Sequence, residues 1–341
     1  SLGALPVAAV AQNGDASGRV GKSGFEQVPR FGGPSSVGAE LAEEDAQKQP
    51  WLRMPGIDSA LQPWFNWKGG LQERYGLALG LSYNSLYQAV DHSAVAEDDA
   101  ASGIFGFKGS WTLVAPDTDR RGTFQWNVGH LHTLGTELAP ADLGFESGYL
   151  GIPGTKFSGA DHGVLVSAAW RQDILGDKLI AIVGFQDPTD YIDVYALENP
   201  LTAFQNLVFT VNPTIAAPNA GSLAAVVGGM ATDHLYYMAG LADANGSATS
   251  PSFDSAFDGG EFFYHGELGL VPSKDQLIFD RITLFGWYQD EREAAGTESS
   301  EGVTLTLTTF IDDTWMPFLR AGYSNGDAPL LNETVSVGVG R

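Results

Sequence analysis

The sequence predicts an all-β chain folded as a transmembrane antiparallel β-barrel, and three observations carry that reading. Apolar and polar residues alternate in about a dozen runs from Leu77 onward, the period that puts successive side chains on opposite faces of a strand. The runs are mostly roughly 9 to 13 residues long, enough for a tilted strand to cross a bilayer and more than soluble sheets usually use. The connections alternate between short and mostly longer ones, as in barrels with tight turns on one side and extended loops on the other.

Composition narrows the function before any motif is read. The 341 residues include 41 acidic and 18 basic side chains, for a net charge of −23 and a pI near 4.4. Binding a phosphate backbone needs clustered Lys and Arg; the chain has no basic block, so no nucleic acid is expected as a partner. The absence of Cys removes disulfides, thiolate nucleophiles and Cys-ligated metal centres. Mean hydropathy is −0.06, and no run approaches the roughly 18 apolar residues of a membrane helix. A barrel escapes that test, because its lipid-facing half is hidden in the alternation.

Residues 1–11 read as a signal-peptide remnant, since Leu5 to Ala11 is apolar and ends in small residues at Ala9 and Ala11. Residues 12–56, rich in Gly, Ser, Pro and Glu without a sustained period, read as a flexible leader. Residues 57–75 are expected to form one short periplasmic helix, capped by Asp58 or Ser59, as a plug or a prelude to the barrel. The barrel is expected over 76–341.

In the first strand Leu77, Leu79, Leu81, Tyr83 and Tyr87 oppose Ser82, Asn84 and Gln88. Phe105, Phe107, Trp111 and Leu113 then oppose Lys108, Ser110 and Thr112, and Phe124, Trp126 and Val128 oppose Gln125 and Asn127. Val164, Val166, Ala168 and Trp170 oppose Ser167 and Arg171. Weaker runs at 178–186, 221–230 and 234–243 follow, and then Tyr264, Leu268 and Leu270 oppose His265 and Glu267. After another weak run at 281–290, Val303, Leu305 and Leu307 oppose Thr304, Thr306 and Thr308, and Leu319 and Tyr323 oppose Arg320 and Ser324. A last run at 332–340 puts Val335, Val337 and Val339 outside. The lipid face is therefore expected to bear Leu81, Phe107, Trp111, Val166, Leu268, Leu305 and Leu319, while Thr306 should tolerate a charge.

Short connections fall at 115–121, 174–177, 231–233, 272–280 and 312–314, and longer ones at 91–101, 135–161, 187–220, 244–259, 291–300 and 325–331. Counted from a periplasmic N-terminus, every connection lands on the side its length demands.

Particular wording then becomes informative. WRQDILGDKLIAIVGFQDPTDYIDVY (170–195), FQNLVFTVNPTIAAPNAGS (204–222), LYYMAGLADANG (235–246) and FLRAGYSNGD (318–327) resemble the carbohydrate-selective porin family, the OprB type. LQERYGLALGLSYNSLYQ (71–88), leading into the first strand, belongs to the same likeness, which covers about Leu61 to Arg341. The resemblance implies a barrel of the 16-stranded porin type in the cell outer membrane of a Gram-negative bacterium, passing small carbohydrates by passive diffusion. By that analogy the barrel is incomplete at its C-terminus, with about 12 strands present, and the chain ends at Arg341 without a terminal aromatic residue. The implied partners are small sugars, outer-membrane lipid and lipopolysaccharide, with a homotrimer or a monomer both open and no cofactor.

A sugar pore needs polar side chains that exchange hydrogen bonds with hydroxyls, and a narrowing. Lumen parity nominates Lys108, Gln125, Asn127, Arg171, His265, Glu267, Arg281 and Arg320 as pore lining, either as solute contacts or as charges that hydrate the wall. Of these, Arg171 and Arg320 are expected to fork across sugar hydroxyls. The 187–220 connection is too long for an ordinary surface loop and is stiffened by Pro213 and Pro218. It is the candidate constriction loop, through Asp187, Asp190, Asp193, Phe204, Asn206, Phe209 and Asn212; the alternative is an external lid against a neighbouring protomer.

Enzyme-like signals are weak. His130 and His132 have the spacing of a metal pair, but share a face with Phe124, Trp126 and Leu134 and read as girdle residues. Asp187, Asp190 and Asp193 lack the spacing of a calcium loop and read as solvated carboxylates, so no metal is expected. No G-x-S-x-G, H-E-x-x-H or phosphate-binding Gly-rich loop occurs, and no enzyme activity is expected. A general or anion-selective porin and a secreted β-rich lectin or adhesin remain as alternatives. The acidic excess is expected in external loops such as Glu97 to Asp99 and Asp290 to Glu301, where divalent cations would bridge it to lipopolysaccharide.

Overall fold

The computed structural model describes residues 31–45, 55–92, 97–116, 118–146, 154–159, 161–312 and 314–341. The expected signal remnant at 1–11 lies outside them. Strands β1 (Leu77–Ala89), β2 (Asp99–Val114), β3 (Gly122–Thr133), β4 (His162–Asp173), β5 (Ile180–Gln186) and β6 (Ser222–Met230) make the first half. The second half is β7 (Leu235–Asp243), β8 (Phe262–Leu270), β9 (Arg281–Gln289), β10 (Ser300–Thr308), β11 (Met316–Asn325) and β12 (Glu333–Gly340). They form one antiparallel sheet in sequential order, with β1 and β12 at its two ends, not paired to each other. The tight turns follow β2, β4, β6, β8 and β10 and define a short-turn side; the other connections define a long-loop side.

The alternation sorts the two faces as its period demands. Leu81, Trp111, Leu268, Leu284, Leu305 and Val337 stand exposed on the outside, while Thr283, Thr306 and Arg320 are buried inside. An apolar exterior over a polar and aromatic interior is the inverse of a soluble protein and suits a strand wall facing lipid. We expect Leu305→Arg to cost roughly 2 to 4 kcal/mol in lipid vesicles and Asn84→Arg, aimed into an inner chamber, far less. Equal losses in urea unfolding would contradict this assignment of faces.

Two expectations about faces are corrected. The β3–β4 register shifts between Asn127 and Val128: Asn127 lies opposite Ser167, but Val128 lies opposite Leu165. One extra residue in β4 reverses the parity beyond it. Leu165 takes the outward place, and Val164 and Val166 line an inner chamber beside Asn84 and Lys108. Thr306, expected to tolerate a charge, is fully buried and donates a hydrogen bond to Asp193 Oδ1 at 2.8 Å. The lumen is filled at that point.

What fills it is the connection between β5 and β6, which turns inward instead of capping the long-loop side. Its Ile192 and Ile215 pack with inner-wall Ile182, Val226, Phe263, Phe285 and Trp287 into the main apolar core. Val194, Tyr195 and Leu197 form a second cluster with Met316 and Phe318. The core therefore sits inside the barrel, between the returning loop and the wall of β5 to β11.

The N-terminal part also differs from expectation. Residues 31–45, placed by sequence in a flexible leader, enter the lumen and carry helix α1 (Val37–Asp45), with Val37, Ala39 and Leu41 buried. Nine residues are too few for a helix to persist alone, so its order comes from the wall and loop that surround it. A Cβ on Gly33 would collide with Glu198 Oε1 and stand 2.8 Å from Val194 Cγ1, a measure of how closely this segment presses on the loop. Helix α2 (Pro55–Tyr75) follows, starting at a proline suited to a first helical position. Asp58 and Ser59 therefore lie within it and not at its cap; the Ser59 hydroxyl donates to Pro55 O at 2.7 Å. Lys68 on α2 ties the two helices together through Glu44 at 2.7 Å and Asp45 at 2.9 Å.

Candidate functional site

The inner faces of β2 and β3 run the height of the sheet and line two chambers. On the long-loop side a cavity of about 350 Å³ is bounded by Ser82, Asn84, Lys108 and Asn127. On the short-turn side one of about 1130 Å³ is bounded by Ser110, Thr112, Gln125 and Arg171. Helix α1 lies between them: Glu40 faces the first, Ser36 and Gly38 the second. Glu40 forms an ion pair with Lys108, which fixes the helix to the wall at the division. By sequence, residues 57–75 are open to either a plug or a periplasmic prelude; the segment found in the lumen is 31–45.

Of the nominated pore residues, the structure brings Lys108, Gln125, Asn127 and Arg171 to these chambers. Arg171 Nε pairs with Asp173 at 3.0 Å and its guanidinium donates to Phe31 O at 3.3 Å, so it holds the N-terminal segment as well as the wall. Of the other four, Glu267 and Arg281 border a further cavity of about 350 Å³, while His265 and Arg320 are buried under the inward loop. Arg320 donates to Asp193 Oδ2 at 2.6 Å, with both side chains almost fully buried, and its guanidinium lies 4.6 Å from the Tyr195 ring centroid. Arg281 pairs with Glu267 at 2.7 Å, and Tyr236 donates to the same carboxylate. His265 is buried between Phe263 and Phe285. Arg320 is therefore a clamp and not part of an open arginine track: it is 1% exposed, and its two terminal nitrogens are committed to Val208 O, Asp193 O and Asp193 Oδ2.

The loop residues each have a mechanical task. Asp193 joins β8, β10 and β11, since its backbone N–H donates to Glu267 Oε2 at 3.0 Å while its carboxylate takes Thr306 and Arg320. Asp187 caps the next turn by accepting from Thr189 N at 3.0 Å. Phe204 and Phe209 pack on Phe318 with ring centroids 5.8 and 5.7 Å away. Asn206 accepts from Val208 N at 3.0 Å, and Asn212 accepts from Thr214 N at 3.2 Å and from the Thr334 hydroxyl at 2.8 Å. The expected solvated carboxylates are thus mostly buried, because the loop lies in the lumen and not above it. His130 and His132 are on the outer face, where His132 shares a 2.9 Å hydrogen bond with Tyr83.

Around α1 and the loop, Glu40, Asp187, Asp190 and Glu198 surround Lys156. Burial works to lower the Lys156 pKa but is outweighed by Glu40, Asp190 and Asp187, so the ammonium is held charged. Burial raises Asp190 and Glu198 well above the ordinary carboxylate range, despite Lys156 beside both and Arg320 beside Glu198. Among the described residues Glu198 Oε1 also has no hydrogen-bond partner, which fits a protonated carboxyl. A carboxyl whose pKa is raised on folding binds more protons folded than unfolded, so its stabilising share is complete in acid and falls as pH rises past the ordinary carboxylate range. We expect loop 187–220 to be protected from amide exchange at pH 5 and less so at pH 8 after correction for intrinsic rates. A rise in protection with pH would contradict this.

Sequence reasoning missed Lys156, Asn219 and the short-turn cations Arg120, Arg121, Lys178 and Lys274, all of which line a chamber. None lies in a strand, so no parity signal marks it. The acidic segment Asp290 to Glu293 lies on the long-loop side, beside Asp254, Asp258 and Glu261 in an open hollow.

No family model matches the sequence, and no curated protein matches it. Among solved structures the chain is similar to OprB of Pseudomonas putida at high pH, with 12% identity and a TM-score of 0.59 over 81% of this chain and 73% of that one. It is also similar to OpdK of Pseudomonas aeruginosa with vanillate, at 13% identity and TM-score 0.40 over 77% of this chain and 63% of that one. A mutant of Rh. blastica porin matches at 13% identity and TM-score 0.36 over 77% and 89% of the two chains. The fold is that of the OprB-type outer-membrane porin barrels.

Proposed function

We propose that the chain forms an outer-membrane diffusion pore for small carbohydrates. The observation that carries this reading is the chemistry of the β1–β3 inner wall. From the long-loop side to the short-turn side it offers Asn84, Ser82, Asn127, Gln125, Ser110 and Thr112, neutral groups that both donate and accept. Such groups can exchange hydrogen bonds with hydroxyls without desolvating a charge, whereas the deep charges are mutually paired. Loop 187–220 and α1 supply the narrowing that forces a solute against that wall. Conduction favours weak, sequential contacts over one deep pocket, and the two chambers provide them. Acidic long-loop residues such as Asp290, Glu291 and Glu293 suit divalent-cation bridging to lipopolysaccharide.

The test is liposome swelling with the purified full chain. Glucose should enter readily and a trisaccharide more slowly. Entry ordered by the sign of solute charge, with no preference for neutral sugars, would favour a general or anion-selective porin instead.

A further inference from the structure

The short turns gather cations that the pore wall does not use. Arg120, Arg121, Lys178 and Lys274, with Arg171 of the β4 wall beside them, border the 1130 Å³ chamber, against the carboxylates Asp119, Asp173 and Asp177. In a chain with a net charge of −23, this mouth has the opposite local sign. The turns are fixed to one another: Gln172 Nε2 donates to Arg120 O at 3.0 Å and Arg121 O at 3.1 Å, Gly176 N donates to Asp119 O at 3.0 Å, and Tyr237 OH donates to Lys178 O at 3.0 Å. The cations therefore stand on a braced rim.

Their partners are too few. Arg121 and Arg171 share the single carboxylate of Asp173, at 3.5 and 3.0 Å, and Lys274 takes Asp177 at 2.8 Å. Among the described residues no ion pair or hydrogen bond engages the side chains of Arg120 or Lys178. A planar guanidinium with open N–H groups, an ammonium, and low-dielectric walls that focus the field make a receptor for an oxyanion.

We propose that this short-turn vestibule is a binding site for a small oxyanion, inorganic phosphate or the phosphate or carboxylate of an acidic sugar, held chiefly by Arg120 and Lys178. The site rests on the pore reading, because it lies at the exit of the same lumen, but it takes a different ligand from the neutral wall. It would slow anionic solutes there and give the channel a sidedness.

The experiment is single-channel recording of the full chain with inorganic phosphate added to either side, and gluconate in a parallel series. Phosphate from one side should reduce the current at lower concentration than from the other. In Arg120→Ala/Lys178→Ala the half-blocking concentration should rise by at least roughly tenfold, the lower bound for losing two charge-assisted contacts, while Arg120→Lys/Lys178→Arg should keep it near the parent value. Gluconate block that moves in parallel assigns carboxylates to the same site; phosphate block alone limits it to phosphate. Equal block from both sides, or a double-Ala variant that loses anion selectivity in KCl but keeps its phosphate block, would overturn the proposal in favour of diffuse field focusing. Glucose block serves as the control, because its loss together with all channel activity would indict the pore reading and not the site.

Discussion

Arg320→Met should destabilise the barrel by about 3 to 5 kcal/mol, because it leaves Asp193 as a buried charge without its partner. Both side chains are at most 2% exposed, and the guanidinium also donates to Asp193 O at 3.3 Å and covers the Tyr195 ring. An isolated carboxylate there is shut off from solvent, and Arg281, the other cation that acts on it, is already paired with Glu267. The loss should appear as a lower urea midpoint in vesicles and as increased current noise, since Asp193 anchors loop 187–220 to β8, β10 and β11. Arg320→Met/Asp193→Asn should recover most of the stability, as an apolar and a neutral side chain replace a pair whose attraction was largely offset by its desolvation. A double variant as unstable as the single one would mean that guanidinium packing, and not charge pairing, holds the loop.

Deleting residues 31–45 should have the largest effect on conduction. That segment separates the two chambers, so its removal joins them into one wider path, and conductance should rise by roughly twofold or more. It also removes Glu40, Glu44 and Asp45, leaving Lys108 and Lys68 without their partners. Selectivity should therefore move toward anions, read as a shift in reversal potential across a KCl gradient. Unchanged conductance with an unchanged reversal potential would place the segment outside the conducting path.

Much of the wall was legible because a strand's two faces are written into its own residues. Leu305 against Thr306, or Leu268 against Glu267, needs no knowledge of the rest of the chain, and the spacing of the turns orders the strands. The bulge in β4 was not legible, since VLVSAAW alternates loosely enough that one extra residue leaves no local trace. The filled lumen was hidden for another reason. On β8 and β9 both faces are apolar or aromatic in places, as in Phe263 and Tyr264 or Phe285 and Leu284, so alternation marks neither as interior. Arg281 and Arg320 are buried on the inner side of the sheet, but parity does not say whether that side meets water or a loop. The N-terminal helix depends on surroundings more than 60 residues away in sequence, Glu40 on Lys108 above all, and no periodicity within VGAELAEED announces it.

On the proposed function, this chain makes a lipid-embedded aqueous path whose wall contacts sugar hydroxyls. Single-channel recording of the full chain in a planar lipid bilayer, titrated with glucose, tests it most directly. The expected result is discrete, reproducible current steps whose size or open time falls in a saturable way as glucose rises, and Asn84→Ala/Asn127→Ala weakens that response without abolishing the steps. Steps indifferent to glucose would contradict the sugar-contacting wall, and the absence of any discrete step from correctly inserted protein would contradict the pore itself.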